Sequence, residues 1–163
     1  MQARINNLVF TQQGLKWYDF WLVNGQTNFA VIPPNIIPAD NIEGFNNNCA
    51  VPIRLQNGKK PSFGYEHILF KHGNWAKKLA SSIPELIYIK LGQSGDIYLT
   101  EHKKKVKILL RVSPSALMVL NYIENGHFFS VITLYDQRNS QLDGDKIGRY
   151  LGNYQCKFTT ETK

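Results

Sequence analysis

Two kinds of hydrophobic pattern follow one another along this 163-residue chain. Residues 1–60 hold aromatic clusters, proline-rich turns and an asparagine-rich loop, which predict short strands and loops without a long helix. In "GYEHILFKHGNWAKKL", residues 64–79, apolar residues fall between polar ones. Gly73 is a candidate helix end there, and Asn74 is a candidate cap for a second helix through "WAKKLASSI". Residues 64–83 are therefore predicted to be mainly helical, as two short helices or one helix with a break.

A period of two replaces the helical pattern further along. Pro84 opens a short segment, and four β-type runs follow it: "DIYLTE", "KVKILLRV", "SALMVLNYI" and "HFFSVITLY". Their connections are short enough to require antiparallel neighbours, and "ENG" is the strongest hairpin signal because Asn-Gly accepts the positive φ values of a type I′ turn. The sequence predicts an α+β fold in which short helices pack on an antiparallel meander of about four strands, over residues 96–135, beside the strand- and loop-rich N-terminal segment.

The length of the chain suits one hydrophobic core, so we expect a single domain over residues 1–163. Within it, 1–60 is an accessory strand and loop segment, 61–140 is the core unit and 141–163 is a C-terminal extension. The stretch "LQNGKKPSFG", residues 55–64, marks an internal boundary and is expected to be an exposed connection or a hairpin tip.

Charge and cysteine content narrow the classes of function. Nineteen Lys and Arg against twelve Asp and Glu give a net charge of +7, which favours association with polyanions. Cys49 and Cys156 form no CxxC pair, so neither a disulfide framework nor a thiolate metal site is indicated. The N-terminus lacks the apolar core of a signal peptide, and no run approaches the roughly 18 apolar residues of a membrane span. We expect a cytoplasmic protein, of the producing or a target cell, without membrane association.

Two of the four histidines lie close together in the predicted helical region. On a continuous helix Lys71 lies about 40° from His67, whereas His72 lies about 140° away, so the two histidines do not share one face. Their interval of five, without a nearby cysteine, argues against zinc, and we predict neither a metal nor another cofactor. Both histidines also have a purely structural alternative: His72 could cap the last turn of a helix, and His67 could be a hydrogen-bonded helix residue.

RNA cleavage by a ribose 2′-hydroxyl is one reaction for which these residue types are suited. It needs a base for the hydroxyl proton, an acid for the leaving 5′-oxygen and positive charge near the phosphoryl oxygens. Histidine suits the proton transfers because its side chain titrates near neutral pH, and lysine suits the charge. His67 and Lys71 supply both types.

The last predicted strand carries further polar candidates. Strict alternation along "HFFSVITLY" places Thr133 and Tyr135 on one face, together with Phe129 and Val131. Both polar residues can hydrogen-bond a phosphate or orient a base, but both are also common in strands without any function.

Basic residues outside the helix are candidates for substrate binding. Arg111 and Arg138 are candidate phosphate contacts, with a solvated surface arginine as the alternative for each. The run "HKKK" at 102–105 is expected in a turn and could extend the RNA footprint.

Five stretches together resemble a known family. "GYEHILFKHGNWAKKL", followed by "IPELI", "GDIYL", "KVKILLRV" and "GHFFSVITLYDQR", resembles the phage-associated nucleases of the barnase, EndoU, colicin and RelE superfamily over about residues 62–139. The resemblance implies metal-independent RNA cleavage that leaves a 2′,3′-cyclic phosphate. It places the family's roles on His67, Lys71 or His72, Thr133 and Tyr135.

The same resemblance has consequences for geometry and partners. It predicts that His67 and Thr133, 66 positions apart, lie close enough to share one substrate phosphate. It implies a toxin or a phage-associated protein, with RNA as substrate and an immunity or antitoxin protein as a possible partner. A non-catalytic RNA- or DNA-binding module and a phage structural or accessory protein are the alternatives, and the sequence does not indicate an oligomeric state.

Overall fold

The computed structural model describes residues 7–38, 40, 42–100, 107–113, 116–136 and 145–152, with the backbone alone for 107–113. Over this part of the chain there are two helices and nine strands, and neither helix is long and apolar enough to cross a membrane. Their order is β1 (Phe10–Gln12), β2 (Trp21–Val23), β3 (Ala30–Ile32), β4 (Val51–Arg54), α1 (Gly64–Lys77), α2 (Ile83–Leu91), β5 (Gly95–Leu99), β6 (Lys107–Ser113), β7 (Ala116–Ile123), β8 (Phe128–Asp136) and β9 (Lys146–Tyr150). The predicted α+β class is confirmed.

The predicted four-stranded meander is also confirmed. Strands β5, β6, β7 and β8 lie side by side in chain order, each antiparallel to the next. The predicted type I′ turn is wrong, because the β7–β8 connection has four residues, 124–127, with positive φ at Gly126 and His127. His127 lies in this turn, with its Nδ1 2.7 Å from the Tyr122 hydroxyl, and β8 begins at Phe128.

Segments that the sequence pattern left unplaced complete a seven-stranded sheet with the order β3-β4-β8-β7-β6-β5-β9. Strand β4 joins β8 in parallel through the pairs Ile53–Phe129 and Arg54–Ser130, and β3 pairs with β4 antiparallel. Strand β9 pairs antiparallel with β5 at the other edge. Strands β1 and β2 form a separate two-stranded sheet.

Helix α1 runs through Gly73 without a break, so the predicted helix end at that glycine and the second helix over "WAKKLASSI" are wrong. Gly73 is buried and does not adopt positive φ, and the helix continues because Ile68 and Ala76, two turns apart, are both buried in the core. Helix α2 begins after Ser82, whose Oγ accepts the N–H of Glu85 at 3.2 Å. This Ser-x-x-Glu pattern is a capping signal that marks the start of α2 in the sequence itself.

Strand β8 contains a β-bulge at Ile132. Leu120 of β7 pairs with Val131, and the preceding residue Val119 pairs with Thr133, so Ile132 has no partner of its own on β7. Because successive residues of β7 point to opposite faces, their partners Val131 and Thr133 also lie on opposite faces.

The bulge reverses the alternation beyond it. Thr133 and Tyr135 do share a face, as expected, but it is the face of Phe128 and Ser130 and not that of Phe129. The opposite face forms the core together with the buried residues of the helices. On β7 and β8 its buried side chains are Ala116, Met118, Leu120, Tyr122, Phe129, Val131 and Leu134.

Candidate functional site

His67 on α1 and Thr133 on β8 are in direct contact. His67 Nε2 lies 3.0 Å from Thr133 Oγ1, and His67 Nδ1 lies 2.6 Å from the carbonyl oxygen of Pro61. Because a carbonyl oxygen can only accept, Nδ1 carries the hydrogen and donates it. Nε2 is then an acceptor in the neutral ring and a donor in the protonated ring. The predicted proximity of His67 and Thr133 is confirmed.

A tight loop, residues 58–64, positions the Pro61 carbonyl. The backbone N–H of Lys59 donates to the carbonyl of Phe63, and the N–H of Phe63 donates to that of Lys59, both at 2.9 Å. Gly58 has a φ of +73°, and a Cβ there would lie 1.9 Å from the Phe63 carbonyl oxygen. The loop therefore requires glycine at its first position.

The start of α1 is held by the backbone that precedes this loop. The carbonyls of Gln56 and Asn57 accept the N–H groups of Tyr65 and Glu66, at 3.0 and 2.9 Å, which satisfies donors that a helix start otherwise leaves unpaired. The Gln56 side chain is itself buried and accepts a hydrogen bond from Ser130 Oγ at 2.7 Å. The first turn of α1, with His67, is thus linked to the sheet.

The first half of "LQNGKKPSFG" is not the exposed connection or hairpin tip that we expected. Residues 55–58 are buried, and only 59–62 are exposed. Asn57 Nδ2 donates to the carbonyls of Gly14 and Lys16, and its Oδ1 accepts from Gln12 Nε2. Sequence reasoning missed the structural role of this residue, whose one signal is an Asn-Gly pair between a strand and a helix.

His72 and Tyr135 extend the site along α1 and β8. Their rings are stacked, with centroids 5.7 Å apart and an interplanar angle of 26°. The ring of His67 meets that of His72 edge-on at 5.8 Å, although the helix is continuous. Separate helix faces therefore do not keep the two imidazoles apart, since both side chains contact β8. His72 does not cap the end of a helix, because α1 continues for five more residues.

The local environment affects the protonation of His72. Burial, followed by the charges of His67 and Lys71, holds the pKa of the His72 imidazole below its ordinary value. Lys71 is exposed one residue away along α1. Near neutral pH His72 is therefore mainly in its neutral form.

The remaining basic candidates are placed only in part. The backbone of Arg111 pairs with Leu117 of β7, which in turn pairs with Tyr135 of β8, so Arg111 lies in the same cross-strand row as Tyr135. Arg138 and the run "HKKK" at 102–105 lie outside the described residues.

A groove of about 660 Å³ lies on the same face of the sheet as Thr133. Ser62 and Ile132, the chain neighbours of Pro61 and Thr133, both line it. Its lining combines aromatic, polar and aliphatic residues: Trp17, Tyr18, Phe20, Gln56, Ser62, Phe63, Asn121, Ile123, Asn125, Phe128, Ser130 and Ile132. The N-terminal aromatic residues, whose part in a site the sequence did not predict, thus form one side of it.

The site combines two imidazoles, a hydroxyl and a phenol near a groove lined by aromatic and polar side chains. In the described part of the chain, no three His, Cys, Asp or Glu side chains are grouped so that they could hold a metal ion. No protein-family model, curated protein or solved structure matches this chain.

Proposed function

We propose that this protein is a metal-independent endoribonuclease that cleaves single-stranded RNA by attack of a ribose 2′-hydroxyl on the adjacent phosphate. The observation that carries the proposal is the placement of His67, fixed between the Pro61 carbonyl and the Thr133 hydroxyl, with His72 in ring contact. Two imidazoles beside one groove can supply both proton transfers of this reaction. The products are a 2′,3′-cyclic phosphate and a 5′-hydroxyl end.

The different surroundings of the two histidines assign one proton transfer to each. His72, whose pKa is lowered chiefly by burial, is the neutral base that takes the proton of the 2′-hydroxyl. As the bond from O2′ to phosphorus forms, the bond from phosphorus to O5′ breaks. His67, in its protonated form, donates the Nε2 proton to O5′ while Nδ1–H stays on the Pro61 carbonyl.

The neighbouring residues have supporting roles in this proposal. Thr133 orients the His67 ring through Nε2 in the free protein, and O5′ replaces the Thr133 hydroxyl as the partner of Nε2 when the proton is donated. Tyr135 orients the His72 ring by stacking. Lys71 stabilises the negative charge that develops on the phosphoryl oxygens. Arg111 and Arg138 remain proposed phosphate contacts.

A ribonuclease of this kind acts where RNA is present, in the cytoplasm of the producing or a target cell. We propose a toxin or a phage-associated enzyme, with an immunity or antitoxin protein that protects the producer. The net charge of +7 supports an anionic substrate.

The decisive experiment incubates the full chain with end-labelled total RNA in EDTA and identifies the product ends. We expect cyclic phosphate ends, and no cleavage of single-stranded DNA, which lacks the nucleophile. His67→Ala should lower the rate by about 10²- to 10⁴-fold, as for loss of a general acid or base. His67→Asn should lose as much, because its amide can still donate to Pro61 but transfers no proton. Lys77→Ala, an exposed change in the last turn of the same helix, is the matched control.

Three results would contradict the proposal. One is a folded His67→Ala variant that cleaves as fast as the parent, and another is loss of activity in EDTA. If the parent binds RNA but never cuts it, the non-catalytic binding module replaces the ribonuclease.

A further inference from the structure

Trp17 and Tyr18 expose large aromatic surfaces on one wall of the groove. Nearly half of each residue is exposed, 46% and 47%, although burial of such rings is favourable. Their loop is nevertheless fixed, since the N–H groups of Gly58 and Asn57 donate to the carbonyls of Trp17 and Asp19, both at 2.9 Å. The Asn57 side chain binds the same loop. Exposed rings on a fixed backbone form a preorganised contact surface.

Two lysine ammonium groups lie beside these rings. Lys59 Nζ is 5.0 Å from the ring centre of Trp17, and Lys16 Nζ is 5.9 Å from that of Tyr18. Neither lysine forms an ion pair with a carboxylate of the described residues. A surface that combines aromatic rings and cations suits a single-stranded nucleic acid, because bases stack on the rings and phosphates pair with the ammonium groups.

The groove lies close to the partners of His67. Ser62 and Ile132, which line it, are the chain neighbours of Pro61 and Thr133. Asn121 also lines it, and this side chain offers both a donor and an acceptor to the edge of a base. The volume lies within the range of about 300–1,000 Å³ that is usual for ligand sites.

We infer that the groove binds the nucleotides on one side of the scissile phosphate of single-stranded RNA, with bases stacked on Trp17 and Tyr18. The position of the scissile phosphate rests on the proposed ribonuclease activity. Lys16 and Lys59 contact neighbouring phosphates, and Asn121 contacts a base edge. Because a duplex hides its base faces within the stack, the groove selects single strands.

The test uses a fluorescein-labelled single strand in which every 2′-hydroxyl is methylated, so that the parent binds it without cleavage. Fluorescence anisotropy at fixed ionic strength gives Kd. Trp17→Leu, which keeps apolar bulk but removes the aromatic face, should raise Kd at least about five-fold, the lower limit for the loss of one stacked base. Trp17→Phe, which keeps an aromatic face, should retain most of the affinity.

The charge contribution is measured separately through its salt dependence. Lys59→Gln should reduce the slope of log Kd against log salt concentration by about 0.7, as expected for one phosphate contact on a single strand. Lys77→Gln makes the same charge change on exposed α1 surface and should leave the slope unchanged. Circular dichroism and thermal unfolding confirm that each variant is folded.

The outcomes separate this inference from the proposed activity. A folded Trp17→Leu variant with the Kd of the parent overturns the groove assignment, as does equal affinity for a duplex of the same sequence. If unmodified RNA is cleaved but the Kd does not depend on Trp17, the groove assignment is wrong and the ribonuclease proposal stands. Trp17-dependent binding without any cleavage overturns the ribonuclease and leaves the groove as a single-strand binding site.

Discussion

Replacement of Asn57 by alanine should destabilise the protein by about 3 kcal/mol. The residue is 3% exposed, and its side chain makes three hydrogen bonds of 2.8–2.9 Å, to the carbonyls of Gly14 and Lys16 and from Gln12 Nε2. A hydrogen bond within a protein contributes about 0.5–1.5 kcal/mol net, so about 1 kcal/mol for each of the three gives this value. For a chain of this size the loss lowers Tm by about 6–12 °C.

Urea denaturation followed by circular dichroism measures the free energy of unfolding. Asn74→Ala makes the same chemical change on the exposed surface of α1 and should stay within about 0.5 kcal/mol of the parent. Hydrogen exchange adds a local readout, because the N–H of Gly58, which donates to Trp17, should lose protection before the amides of α2 do. An Asn57→Ala variant as stable as Asn74→Ala would refute the view that this amide holds the aromatic loop in place.

Two further predictions concern charge. Lys71→Gln should raise the pKa of the His72 imidazole, because the charge of Lys71 lowers this pKa in addition to burial and the charge of His67. NMR titration of the ring C–H signals measures the shift, and Lys77→Gln should cause none. Asp96→Asn should destabilise the protein by about 1 kcal/mol at pH 7, because the carboxylate pairs with two partly exposed basic side chains of β9. Burial alone would raise the pKa of Asp96, but these partners outweigh it and lower the pKa. The stabilisation is therefore present at neutral pH and lost as pH falls through the lowered value, and an equal gap between parent and variant at pH 3 and pH 7 would contradict it.

The parts of the fold that local pattern determines were predictable. The meander follows from period-two runs with short connections, which leave antiparallel pairing as the only arrangement. The contact between His67 and Thr133 was expected from a resemblance that joins a helix residue to a residue of the last strand. A pattern of this kind identifies which elements meet, but it does not fix the atoms that meet.

What could not be predicted depends on contacts between distant segments. Nothing in "VPIRLQNG" distinguishes a strand that pairs in parallel with β8 from a short strand elsewhere, and the parallel pairing buries Gln56 against Ser130. Gly73 looked like a helix end because glycine is common there, but the burial of Ile68 and Ala76 outweighs its low helix propensity. Tertiary packing decided both cases.

The bulge at Ile132 shows how one residue decides the location of the site. Without an extra residue, strict alternation would turn Thr133 to the core side with Val131 and would leave Leu134 on the face of the groove. With it, Val131 and Leu134 are both fully buried although they are three positions apart, and Thr133 lies on the face where His67 meets it. The apolar residues of β8 are compatible with an alternation that either continues or reverses at Ile132, so the hydrophobic pattern does not reveal the bulge. Thr133 shares a face with the groove because the strand contains this irregularity, and bulges are frequent where a sheet presents a functional side chain.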